Sequence, residues 1–135
     1  FPLIFHHSVE LNQDYSTRIP GHDYLAPECP FMSISINVGP NAVCRPHVDM
    51  TNLAFGLCII FVFGRFDATL SGHLVLCEAK IILEGPSGTV FFIPSGSIHH
   101  LNTALRFSHT RCVMTLYTQA GLFRFRDQGF KTQSE

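Results

Sequence analysis

The sequence predicts an all-β domain, a sandwich or barrel of short strands with few or short helices. Two observations lead there. Apolar and β-branched residues gather in six or seven short runs, broken at roughly 10-residue intervals by Gly, Pro, Asn and Ser. No segment sustains the 3.6-residue apolar period of a long amphipathic helix.

Residues 1–30 hold no lasting period. His6-His7, Pro20-Gly21 and Pro27-Glu28-Cys29-Pro30 punctuate them, which predicts an irregular N-terminal segment. The β-rich text occupies residues 31–125. Phe31–Val38 alternates apolar and polar residues and ends at Gly39-Pro40-Asn41. Ala54–Phe63 follows, ended by Gly64, and then Gly72–Leu76. Lys80–Leu83 ends at Gly85-Pro86-Ser87-Gly88, and Thr89–Ile93 at Pro94-Ser95-Gly96. Arg111–Thr118 is the last predicted strand, ended by Ala120-Gly121. Residues 126–135 read as a polar tail that frays.

Composition fits this division. With 135 residues, 46% of them apolar and 14% charged, the chain can fill one core, so disorder is not the default reading. A net charge of −1 gives no electrostatic support for tight nucleic-acid binding. The five Cys form no CxxC pair, against a zinc ribbon or a disulfide scaffold. Cys58 and Cys77 read as buried thiols, and unpaired thiols point to an intracellular protein, cytoplasmic or nuclear. The longest apolar run, Leu53–Phe63, is too short to cross a bilayer as a helix, and no basic stretch precedes an apolar one as in a signal peptide. No membrane association is expected. The opening Phe1-Pro2-Leu3 reads as a fragment or a processed chain. Nothing in the pattern encodes an oligomeric state.

The chemistry-bearing pattern starts at His47-Val48-Asp49. On an extended chain, residues i and i+2 point the same way, so one imidazole and one carboxylate can bind one divalent ion. A further His from a distant strand completes a two-His-one-carboxylate triad. That set leaves coordination positions open, which suits non-haem Fe(II) binding a cosubstrate and dioxygen together. Either His99 or His100, after the Pro94-Ser95-Gly96 turn, can supply it, but not both, because strand neighbours face opposite ways. Arg111 opens the last strand and can pair bidentately with a dicarboxylate cosubstrate; Thr115 and Tyr117 share its face by parity. The competing reading pairs Arg111 with Asp67 or Glu84 at the surface. Asn52 follows Asp49 by three residues, placed to orient a ligand, touch substrate or cap a turn. His6, His7, His22, His73 and His109 lack a matching partner and read as surface or structural residues.

The ordered set of motifs resembles the Fe(II)/2-oxoglutarate-dependent dioxygenases, and within them a fungal group related to the TET/J-binding-protein oxygenases. The residues that carry the likeness are His47-x-Asp49-x-x-Asn52, Ala54-Phe55-Gly56, Gly64-Arg65-Phe66-Asp67, Gly72-His73-Leu74-Val75-Leu76 and Gly88-Thr89-Val90. Ile93-Pro94-Ser95, His100-x-Asn102-Thr103, Arg111 and Tyr117-Thr118-x-x-Gly121-Leu122-Phe123-Arg124 continue it. The resemblance implies a double-stranded β-helix, or jelly roll. It implies Fe(II) on His47, Asp49 and His100, and 2-oxoglutarate held through Arg111. Asn52 and Asn102 become candidates for a second shell or for substrate contact. The implied reaction couples oxidative decarboxylation of 2-oxoglutarate by dioxygen to oxidation of a substrate C–H, in that group a pyrimidine methyl in nucleic acid. Arg106, Arg111, Arg124, Arg126 and Lys131 make the C-terminal third mildly basic, as a phosphate-facing rim or an ordinary surface. The chain departs from the pattern at Val113, where a Ser is frequent, at Leu57, where a Trp is frequent, and at Ser71-Gly72, where a Gly pair is usual.

Two other classes compete. Gly88-x5-Pro94-x-Gly96-x2-His99 resembles the second motif of the cupins, metal-binding jelly rolls that need no 2-oxoglutarate, although their first motif is absent. A non-catalytic jelly roll that binds a partner is the other.

Overall fold

The computed structural model describes residues 1–26, 28–39 and 42–132. The turns expected at Pro27 and at Pro40-Asn41, and the tail end at residues 133–135, lie outside the described residues. In chain order the elements are helix α1 (Pro2–Arg18), strands β1 (Ser33–Asn37), β2 (Cys58–Arg65), β3 (Leu74–Leu76), β4 (Ile81–Leu83), β5 (Val90–Ile93), β6 (His100–Asn102) and β7 (Thr110–Tyr117), and helix α2 (Ala120–Asp127).

The strands form two antiparallel sheets, a four-stranded one ordered β1-β7-β2-β5 and a three-stranded one ordered β4-β3-β6. In β2 the residues Cys58, Ile60 and Val62 point inward. They meet Val113 of β7, Ile93 of β5 and Leu74 of β3, so this core spans both sheets. Each such fully buried aliphatic side chain contributes about 1.5–3 kcal/mol. β2 begins at Cys58 rather than Ala54 because the chain turns there, with the Gly56 amide donating to the Leu53 carbonyl at 2.9 Å. A short pairing strand, β6, stands where only a ligand-bearing stretch was expected.

The irregular segment that bears His47 is tied to β6. The His47 amide donates to the His100 carbonyl at 3.1 Å, the His100 amide to the His47 carbonyl at 2.9 Å, and the Asn102 amide to the Cys44 carbonyl at 3.3 Å. It thus continues the smaller sheet beyond β6.

Two expectations fail. Residues 1–30 are not irregular throughout, since α1 runs for 17 residues with Pro2 at its first turn, where a missing N–H costs nothing. Its buried stripe is Ser8, Leu11, Asn12 and Tyr15, at helical spacing but half polar. Phe1, Leu3 and Phe5 are exposed instead, so hydrophobicity does not mark the packed face. Asn12 explains its own burial: its Nδ2 donates to the carbonyls of Cys29 and Pro30 at 3.3 and 3.1 Å. The tail does not begin at 126, because α2 crosses that boundary. Phe123 of α2 joins Leu11 and Tyr15 in a second core, and the Tyr15 hydroxyl donates to the Leu122 carbonyl at 3.0 Å. Among the described residues, no helix is long and apolar enough to cross a membrane. All five Cys are unpaired; Cys58 is buried but Cys77 is exposed in the β3–β4 turn, contrary to its apolar sequence neighbours.

Candidate metal centre

His47, Asp49 and His100 each offer one ligand atom, and these atoms all lie within 4.8 Å of one another. The two imidazole centroids are 4.3 Å apart. His100 is buried, while His47 and Asp49 are half-buried at the wall of an open cleft of about 650 Å³.

The backbone sets the tautomers. His47 Nδ1 lies 2.8 Å from the Arg45 carbonyl, and His100 Nδ1 lies 3.1 Å from the Ile98 carbonyl. A carbonyl only accepts, so each Nδ1 carries a proton. In the neutral imidazole each Nε2 is then a bare lone pair, the form a metal takes. His47 Nε2 faces Asp49 Oδ1 at 3.4 Å. A lone pair against a carboxylate oxygen repels unless a proton or a metal cation lies between them.

Asp49 is positioned at three points. Its amide donates to the Ser95 carbonyl at 2.9 Å, its own carbonyl closes a turn onto the Asn52 amide at 2.9 Å, and its Oδ2 accepts from Asn52 Nδ2 at 3.2 Å. Asn52 Nδ2 also reaches Ser95 Oγ at 3.1 Å. Asn52 therefore sits in a turn and orients the carboxylate, leaving Oδ1 toward the imidazoles. Gly96 permits this, because a Cβ there would lie 3.0 Å from the Leu53 carbonyl and 3.1 Å from the Asn52 carbonyl. Ser95, buried at 2% exposure, enters the sequence reading only as a turn and motif residue, with no role at the metal site.

The other expected residues are placed as follows. Thr115 and Tyr117 line the cleft beside Val113. Arg111 lies on the same strand face but is 1% exposed, with Nη1 donating to the Ala42 carbonyl at 2.8 Å. It pairs with neither Asp67 nor Glu84: Asp67 accepts from the Thr69 amide and hydroxyl, which holds its carboxyl below the usual range. Burial lowers the Arg111 pKa from its ordinary value, with Cys44 opposing. Gly72, at φ +74°, gives the Arg111 stem room, since a Cβ there would lie 3.1 Å from Arg111 Cδ. Among the described residues, the buried side-chain polar atoms without a hydrogen-bond partner are Arg111 Nε and Asn102 Nδ2. Asn102 lines the cleft, and its Oδ1 accepts from Cys44 Sγ at 3.1 Å. Nothing in the sequence marked Cys44.

His99 does not join the cluster. It is exposed and bonds Glu78 through its Nδ1 and its amide, and that contact holds the Glu78 carboxyl below its ordinary value. Of the remaining His, exposed His6 meets Phe5 edge-on, His7 stacks on Phe123, His22 meets Asn12, His73 meets Thr103 and His109 meets Ser71. The C-terminal cations do not form one rim. Arg111 is interior, and Arg126 pairs with Asp14 and Asp127.

No protein-family model matches the chain, and no curated protein matches it. Among solved structures it is similar to NgTET1 in complex with 5mC DNA, with a TM-score of 0.68 and 21% sequence identity, over 87% of this chain. The chain spans 42% of that one. The likeness is one of fold.

Proposed function

We propose that this chain is a non-haem Fe(II)/2-oxoglutarate-dependent dioxygenase domain on a double-stranded β-helix. The observation that carries the reading is the His47–Asp49–His100 cluster, with both Nδ1 atoms committed to backbone carbonyls and His47 Nε2 turned toward Asp49 Oδ1. The sheet order supports the fold: with the Cys44–His47 segment beside β6, two four-membered layers face each other across the core. Three protein ligands leave positions for a chelating cosubstrate and dioxygen, which fits Fe(II) better than a closed structural zinc site.

The unpartnered Arg111 Nε supports the cosubstrate. A buried guanidinium with one protein hydrogen bond is an incomplete arrangement, and a carboxylate completes it. In this reading His47 Nε2, His100 Nε2 and Asp49 Oδ1 hold the metal, and Asn52 fixes the carboxylate. Arg111 takes the far carboxylate of 2-oxoglutarate, with the Thr115 and Tyr117 hydroxyls alongside. The bound iron with 2-oxoglutarate and dioxygen supplies the oxidising chemistry, and the protein orients the reactants and limits water. An intracellular setting is part of this proposal, and the unpaired thiols support it. The substrate class we propose is a modified pyrimidine in nucleic acid. It rests on the fold likeness to a structure bound to 5mC DNA and draws no support from the net charge of −1.

The test is anaerobic addition of Fe(II) and 2-oxoglutarate to the purified chain. A weak visible charge-transfer band is expected, then succinate release on admitting oxygen. A folded protein that gives neither refutes the proposal.

A further inference from the structure

Asn102 is held in a way the metal ligands do not explain. It lies on β6 two residues after His100, so both side chains share the inward face. Its backbone amide bonds the Cys44 carbonyl, which makes Cys44 its neighbour on the adjoining segment. Its Oδ1 accepts the Cys44 thiol proton at 3.1 Å. In that contact the thiol donates to the carbonyl oxygen, the stronger acceptor of the pair. The NH2 end is therefore the one left over. Nδ2 is buried, has no partner among the described residues, and belongs to a residue lining the cleft of the candidate metal site. Burying an amide N–H2 without an acceptor costs about 1–3 kcal/mol, and native structures rarely leave that uncompensated.

We infer that Asn102 Nδ2, oriented by Cys44, is a built hydrogen-bond donor for an oxygen of a carboxylate ligand that chelates the metal beside His100. Behind Ala42, which lines the same cleft, the buried Arg111 carries a second donor without a partner among the described residues. The orphan Asn102 donor at the cleft wall matches the chemistry of a carboxylate oxygen and matches poorly an apolar group. Asn102 is thus a binding residue for the cosubstrate class, and Cys44 a positioning residue that acts through it. The inference rests on the metal-site reading above, but needs only a metal-chelating carboxylate and not 2-oxoglutarate itself.

The experiment separates the two. The chain is loaded with Co(II), whose visible band reports its coordination, and titrated with oxalate and, separately, with 2-oxoglutarate. For Asn102→Ala and the isosteric Asn102→Asp, oxalate affinity should fall by about 10- to 100-fold, the usual worth of one hydrogen bond to a charged group. Co(II) affinity should change by less than about threefold. Cys44→Val should weaken oxalate binding several-fold, and Cys44→Ser, which retains a donor, should restore it. Oxalate binding that responds to Asn102 while 2-oxoglutarate fails to bind upholds the inference and removes the 2-oxoglutarate reading. Unchanged oxalate affinity in both Asn102 variants overturns the inference, as does a loss of Co(II) binding that parallels the loss of oxalate.

Discussion

Replacing Arg111 by Met separates a ligand-binding role from a structural one. Arg111 is 1% exposed and, among the described residues, gives one hydrogen bond, to the Ala42 carbonyl, faces no carboxylate and leaves Nε without a partner. Holding a charge out of water in that state costs several kcal/mol after relaxation. Met fills a similar volume and removes that cost. It also forfeits the hydrogen bond and leaves the Ala42 carbonyl unpaired, a loss of about 1–3 kcal/mol. The balance favours the variant by about 2 kcal/mol in the ligand-free protein. An unfolding entropy of roughly 2.1 cal/mol/K per residue makes that a Tm rise of about 7 °C. With 2-oxoglutarate present the order reverses. The wild type gains about 2.7 kcal/mol at a hundredfold excess over its Kd, and Arg111→Met gains almost nothing. Thermal and urea unfolding of the metal-loaded chain, with and without 2-oxoglutarate, measure both halves. A ligand-free variant destabilised by about 3 kcal/mol, with a ligand-induced shift equal to the wild type's, would refute the argument and make Arg111 a structural residue.

Asn52→Ala should weaken metal binding by about 10- to 100-fold, through loss of its bond to Asp49 Oδ2, with little change in Tm; metal titration by calorimetry checks it. Leu11→Ala removes a fully buried side chain shared by α1 and α2 and should cost about 2–5 kcal/mol in urea unfolding, whereas an α1 that merely lies on the surface would cost almost nothing. Glu78 titrates below its ordinary value because His99 bonds it, so its contribution is present above the unfolded pKa and is lost as pH falls through the lower folded one. Glu78→Gln should therefore be less stable than wild type above about pH 4.5, and the gap should close in more acidic solution, read as Tm against pH.

What the sequence made legible was whatever obeys a short period. The alternation in β2, β5 and β7 follows from one buried face, so those strands stand close to where the residues put them. The His47-x-Asp49 spacing and the face shared by Arg111, Thr115 and Tyr117 are parity statements as well. What was not legible depends on partners distant in sequence. The packed face of α1 is polar at Ser8 and Asn12, because Asn12 answers carbonyls in the loop at residues 29–30. The choice of His100 over His99 needed the resemblance, since parity alone cannot say which strand face is inward; Glu78, outside the site, occupies the other one. Cys77 misled because its apolar neighbours belong to a strand that ends before it.

The candidate centre also departs from the rule that precise sites stand on regular elements. Ala42, Cys44, His47, Asp49 and Asn52 all lie in a stretch without a strand of its own. Its rigidity is borrowed. The Ala42 amide bonds β7 at Arg111, Cys44 and His47 bond β6, the Asp49 amide bonds Ser95, and the Leu53 amide bonds Thr118. Anchors every two to four residues thus fix this stretch to one of two sheets, to the turn between β5 and β6, or to the residue that follows β7. Those same contacts bring in the partners the chemistry needs: His100 and Asn102 from β6, Arg111 from β7. The backbone bonds that replace a regular strand are therefore the ones that assemble the site, and a slip of one residue in this stretch would break the His47–Asp49–His100 cluster and displace the Asn102 and Arg111 donors together.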